Sequence, residues 1–219
     1  MIPEPIADLP DPKPWIGSAY LRQPRRVLVV GESHKMSDGA APIDGSDLRE
    51  YTVRAVSVRI AGEDAAPFWA NIEQAMFSEP DRLHQAGDGI AEIKARSDFW
   101  HSVAFINFFP RVMDSQTDRP QAGEHAAATR RLAATILALE PELVCIFSSL
   151  ATGARPHGEA PDYNGFGAPP EAVAGQEDLW RYRRPGGGAT LVAAFPHPSR
   201  AGFGQARERY QQLVAALGT

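Results

Sequence analysis

VLVVGESHK, residues 27–35, decides the fold: a run of aliphatic, mostly β-branched residues ends at a glycine and passes into a polar turn. Val27 to Val30 has the length and composition of a buried strand, and Gly31 is where the chain must turn. Glu32, Ser33 and His34 therefore lie at a strand's C-terminal end, the edge at which open α/β sheets bind ligands.

Working outward, the same pattern recurs. Val103 to Ile106 reads as a second buried strand running into Asn107, and Leu143 to Phe147 as a third. Leu191 to Phe195 is the fourth, leading into Pro196, His197, Pro198 and Ser199. Helical segments separate them. Ser46 to Ile60 mixes both periods and leans towards helix. Pro67 to Phe77 has proline in its first turn and Phe68, Ile72, Ala75 and Met76 at three- and four-residue spacing. Ala122 to Leu139 carries Leu132, Ile136 and Leu139 on one face, and Glu140-Pro141 closes it. A last helix, near Gly204 to Leu217, places Ala206, Tyr210, Leu213, Val214 and Leu217 inward.

Strands alternating with helices predict an α/β fold in three layers: a central, mostly parallel four-stranded sheet covered by helices on both faces. One domain is expected over residues 25–219, preceded by an extended, proline-rich arm over 1–24. Thr152 to Gly188, full of glycine, proline and charge, reads as surface loops or an insertion rather than sheet core. Within it, Gly186-Gly187-Gly188 lacks the Lys-Ser/Thr of a phosphate loop and precedes a strand, so it is expected to be a turn.

Composition narrows the function. With 43% hydrophobic and 22% charged residues the chain is ordinary for a globular domain, and no apolar run reaches the length of a membrane span. The start of the chain has neither the basic residues nor the apolar stretch of a secretory signal. A cytoplasmic monomer without a membrane partner is expected. Cys145 is the one cysteine, which excludes internal disulfides, a four-cysteine zinc site and an all-cysteine iron–sulfur cluster. His84, His101, His125 and His157 show no regular ligand spacing, so no metal is expected. The net charge of −5 argues against indiscriminate nucleic-acid coating. It leaves room for a local basic face at Arg181, Arg183, Arg184, Arg200, Arg207 and Arg209.

Taken together and in order, VLVVGESHK (27–35), VAFINFFP (103–110), EPELVCIFSS (140–149) and LVAAFPHPSR (191–200) resemble the uracil-DNA glycosylase superfamily over most of the chain from Val27 onward. In that superfamily a motif such as GQDPY or GEAPG follows the first strand, an Asn ends a central strand, and an HPS motif follows the last. The likeness is greatest to a branch whose first motif reads GESHY. The resemblance implies a DNA glycosylase that flips out a pyrimidine and hydrolyses its N-glycosidic bond, acting on DNA with a modified or damaged pyrimidine and using no cofactor.

Such a reaction develops positive charge on the sugar and negative charge on the departing base. His197, between two prolines, suits hydrogen-bond donation to the pyrimidine O2; the alternative is a turn histidine bonded to backbone. Asn107 carries a donor and an acceptor on one planar amide, which reading a base edge requires, and its alternative is a strand-end cap. Ser33 stands where the superfamily has the Asp that positions water, and a hydroxyl is no general base unaided. Glu32, or Asp38, offers a carboxylate instead, although Glu32 also suits a purely loop-shaping role.

Gly31, His34, Lys35, Phe108, Ser199 and Arg200 complete the expected substrate contacts. Lys35 stands where the superfamily has the Tyr that excludes C5-substituted pyrimidines, so the resemblance implies a hydroxymethylated or glycosylated cytosine alongside uracil as a substrate; the alternative for Lys35 is a solvated surface residue. Phe108, Phe68 and Trp69 are candidates for stacking on the flipped base. The resemblance puts Arg200 and Phe203 in the loop where the superfamily inserts a wedge into the duplex, so either is expected to fill the gap; the alternative is that both are ordinary loop residues. Two competing readings are a catalytically silent nucleic-acid-binding module, for which Ser33 speaks, and an esterase-like hydrolase, against which the missing G-x-S-x-G elbow speaks.

Overall fold

The structure is a computed structural model that describes residues 9, 11–35, 45–64, 66–76, 89–113, 118–148, 155–158, 160–176, 178–195, 197 and 203–217. Its strands are β1 (Trp15–Ile16), β2 (Val27–Gly31), β3 (His34–Lys35), β4 (Ala104–Asn107), β5 (Val112–Met113), β6 (Leu143–Phe147), β7 (Glu171–Ala172), β8 (Leu179–Arg183) and β9 (Ala189–Phe195). The helices are α1 (Gly45–Ala61), α2 (Pro67–Met76), α3 (Gly89–Ser102), α4 (Ala122–Leu139) and α5 (Phe203–Leu217).

The fold is α/β, but the sheet is larger and more mixed than four parallel strands. Seven strands run in the order β1-β4-β2-β6-β9-β8-β7. The inner four, β4-β2-β6-β9, are the four read from the sequence, and they are mutually parallel. Antiparallel strands extend both sides: β1 pairs with β4, β8 with β9, and β7 with β8. The expectation of surface loops over Thr152 to Gly188 is therefore corrected. Leu179 and Tyr182 of β8 are buried, and the Gly186–Gly188 stretch is the turn that folds β8 back onto β9. Positive φ at Gly187 and Gly188 is what lets that turn be so tight.

Alternation along the parallel strands splits the core in two. Leu28, Val30, Ile106, Val144, Ile146 and Val192 face α4, meeting Leu132, Ala133 and Ile136. Val29, Phe105, Cys145, Phe147, Ala193 and Phe195 face the other way, onto side chains of α1, α2, α3 and α5. Helices thus cover both faces, as continuous apolar strands require. In α2 the inward residues are Trp69, Ile72, Glu73, Ala75 and Met76, while Phe68, expected inward, is only half-buried. Pro12 to Pro24, expected in an extended arm, contributes an edge strand and the fully buried ring of Tyr20, whose hydroxyl donates to the Leu139 carbonyl at 3.2 Å. Among the described residues, no helix is long and apolar enough to cross a membrane.

Candidate functional site

Because β2, β4, β6 and β9 are parallel and adjacent, their C-terminal ends lie along one edge of the sheet. Gly31, Asn107, Ser148 and His197 all stand at or just beyond those ends. Gly31 and Asn107 are register partners. Past them the two segments stay tied, since the Phe108 amide donates to the Gly31 carbonyl at 2.9 Å and the Phe109 amide to the Glu32 carbonyl at 3.0 Å.

Asn107 is 3% exposed, and its Oδ1 lies in the space that a β-carbon on residue 31 would occupy. Phe68, in the first turn of α2, crosses the same spot: its Cζ would be 3.0 Å from that β-carbon. Its ring centroid stands 6.0 Å from that of His197, tilted by 43°. Phe68 therefore spans from the Gly31–Asn107 pair to the half-buried His197. This brings together two of the expected catalytic residues and one of the expected stacking rings.

The polar turn after β2 is anchored from several sides. Glu32 is 6% exposed and accepts a hydrogen bond from Ser148 Oγ at 2.9 Å. Ser33 Oγ is buried with no hydrogen-bond partner among the described residues. His34 and Lys35 pair with Val112 and Met113 in a separate two-stranded sheet. The His34 ring packs edge-on against Tyr51, with Nε2 3.3 Å from Thr52 Oγ1. Burial, reinforced by the nearby positive charge of Arg131 and opposed by Asp64, lowers its pKa to about 3, so His34 is a neutral imidazole at ordinary pH.

The remaining expected residues fall elsewhere. Phe108 is 1% exposed and packs with Phe109 in the core on the α4 side, away from Phe68. Trp69 is buried beneath Phe68, in contact with Trp100 and Phe105. Ser199, Arg200, Asp38 and the side chains of Lys35 and Phe203 lie outside the described residues.

Two residues of this edge were not anticipated. Ser148 is the first residue after β6, a position that the strand order makes adjacent to Glu32. Arg131, inside α4, is buried; Nη1 donates to the Asn107 carbonyl at 2.7 Å and Nη2 to the Pro12 carbonyl at 2.5 Å. Burial lowers the Arg131 pKa to about 10, which still leaves it charged at neutral pH. Among the described residues, no three His, Cys, Asp or Glu side chains gather closely enough to hold a metal ion.

Scanned against protein-family models the chain matches none, and a search of curated proteins returns no match.

Proposed function

We propose that this chain is a uracil-DNA glycosylase-like DNA glycosylase that hydrolyses the N-glycosidic bond of an extruded pyrimidine, a C5-modified cytosine or uracil, leaving an abasic site. The observation that carries the reading is the cluster of Gly31, Asn107, Phe68 and His197 at one sheet edge. These groups suit the reaction's separate needs. The Asn107 amide reads a base edge, Phe68 offers a ring for the flipped base, and His197 donates to the oxygen on which negative charge gathers. No cofactor enters the reaction, and the setting is a cytoplasmic monomer working on DNA.

The experiment is abasic-site formation on matched oligonucleotides containing uracil, cytosine, 5-hydroxymethylcytosine or its glucosylated form. Asn107→Ala and His197→Ala serve as controls. Turnover that both substitutions abolish supports the reading. Release of the bulky modified base points to defence against modified foreign DNA, and release of uracil alone points to base-excision repair. The buried Ser33 hydroxyl, which has no hydrogen-bond partner among the described residues and stands where a carboxylate would serve best, favours a second reading, a silent DNA-binding module of the same fold. DNA binding with no turnover on any of the four substrates would select it.

A further inference from the structure

The edge strand β1 stops one hydrogen bond short of the site, and a side chain from α4 completes the ladder. The β1–β4 register pairs Trp15 with Phe105 and Ile16 with Ala104, and two further steps bring Lys13 opposite Asn107. Bonded pairs recur at every second residue of an antiparallel ladder. Here the Ala19 amide donates to the His101 carbonyl at 2.9 Å and the Gly17 amide to the Val103 carbonyl at 3.0 Å, so the same series leads to a bond from the Lys13 amide to the Asn107 carbonyl. The Lys13 amide donates instead to the Arg49 carbonyl of α1 at 3.0 Å, and Pro12 beside it has no N–H to offer. Arg131 takes the missing place: Nη1 donates to the Asn107 carbonyl at 2.7 Å and Nη2 to the Pro12 carbonyl at 2.5 Å.

The peptide between Asn107 and Phe108 is thereby held from both sides, since its N–H donates to the Gly31 carbonyl at 2.9 Å and its C=O accepts from Arg131. The plane of that peptide sets ψ of Asn107 and hence where the side-chain amide starts from. Arg131 is buried, and its two bonds go to neutral carbonyls rather than to a carboxylate. Burying a charge on such terms is costly, which points to a task beyond filling space. We propose that Arg131 is a positioning residue for Asn107: by bridging the Asn107 and Pro12 carbonyls it holds the strand end so that the Asn107 amide meets the edge of the flipped base. This rests on the glycosylase reading and adds a residue that touches no substrate. Strand alternation puts the Asn107 side chain on the face of Phe105, where Phe68 also packs, whereas Arg131 comes from α4 on the other face and acts through the Asn107 backbone. A displacement of about 1 Å at a recognition group costs about 100-fold in rate.

The test joins a structural readout to a functional one on the full chain. In a proton–nitrogen correlation spectrum the side-chain amide signals of Asn107, assigned by their loss in Asn107→Ala, should move in Arg131→Met. With abasic-site formation measured well below each variant's melting temperature, kcat/KM on the cleaved oligonucleotide should fall by about 100-fold in Arg131→Met, while affinity for the same oligonucleotide with thymine at the target position stays within about twofold. Tyr20→Phe deletes a different buried donor, the one on the carbonyl of Leu139 at the end of α4, and should leave the Asn107 signals in place and kcat/KM within about threefold. Should Arg131→Met fail to fold, Arg131→Lys decides by the same two readouts, since an ammonium lacks the planar fork that spans two carbonyls. Asn107 signals that stay in place, or an unchanged kcat/KM, in a folded variant overturns this inference and leaves the glycosylase reading standing. Absence of turnover by the unsubstituted chain on every substrate overturns both.

Discussion

Asn107 Oδ1 rests against the Cα of Gly31, in the volume that any larger residue at position 31 would need for its β-carbon. The two are register partners at the ends of adjacent parallel strands, so neither backbone can move aside without breaking the ladder between them. Glycine is required here for close approach, not for an unusual backbone angle. Gly31→Ala should displace the Asn107 amide and press on Phe68 and Phe105, costing about 1–3 kcal/mol of stability by overpacking. On the glycosylase reading, abasic-site formation should fall by about 100-fold, the order expected when a positioning contact is lost. An alanine variant that melts and turns over like the unsubstituted chain would show that Asn107 is not held by this contact.

How much of this edge was legible depends on whether the signal is local. Val27–Gly31 and Ala122–Leu139 announce themselves through short-range pattern, and the structure places both where the sequence does. Helix α3 does not, because its pattern is inverted: Ile93 is exposed while Arg96 is buried. Arg96 turns inward towards a carboxylate on another helix, Glu73, a partner no window of sequence contains. Strand β8 hides for a related reason, since LWRYR buries only Leu179 and Tyr182 and owes its place to pairing with β9. At the site, Gly31, Asn107 and His197 are legible as strand ends. Ser148 and Arg131 acquire their meaning only from the order of strands and the inward face of α4.

Arg131 illustrates the energetic side of that hidden layer. Its two donated hydrogen bonds join the Asn107 carbonyl, in the site, to the Pro12 carbonyl, in the N-terminal segment. Arg131→Met keeps the stem and deletes both donors, leaving two carbonyls unsatisfied at about 1–3 kcal/mol each if buried. A loss of about 3 kcal/mol in urea unfolding is expected. A loss below about 0.5 kcal/mol would mean that water replaces the guanidinium at both carbonyls without penalty.

Acid should unfold the protein partly through His34. Its folded pKa, lowered to about 3 by burial first and by Arg131 second, lies below the 6.5 of an ordinary histidine. Between these values the unfolded chain binds a proton that the folded chain does not, so stability rises with pH. The contribution is complete above pH 6.5 and is lost as the pH falls towards 3. The stability difference between the unsubstituted chain and His34→Gln should therefore be flat above about pH 7 and slope below it by up to about 1.4 kcal/mol per pH unit. Urea midpoints collected at half-unit pH steps give the curve, and a difference that stays constant through this window removes His34 as the titrating group.

The last prediction concerns how Phe68 is kept over the strand ends. It sits in the first turn of α2, and α2 is fastened by Glu73, which accepts from Arg59 of α1 at 2.8 and 2.5 Å and from Trp100 of α3 at 2.8 Å. Arg96 stands 3.8 Å away on the other side, and the start of α2 is held again by the Trp69 indole on Asp64 at 2.7 Å. Arg59, Glu73 and Arg96 are all buried, so the carboxylate compensates two guanidinium groups that water cannot reach well. Removing one member of a buried ion pair costs about 3–5 kcal/mol, because the partner charge is stranded. Glu73→Gln should therefore cost about 3 kcal/mol in chemical denaturation, and the Arg59→Met/Glu73→Met double variant should recover part of it, since it removes both charges of the Arg59–Glu73 pair while Arg96 keeps Glu92 at 2.6 Å. On the glycosylase reading, and with α2 as the support for Phe68, Glu73→Gln should also weaken the grip on flipped-base substrate, raising KM in the abasic-site assay more than it lowers kcat. A stability loss with KM unmoved would confine the cluster to holding the helices together and would leave the positioning of Phe68 to its ring contacts with Phe105, Trp69 and His197.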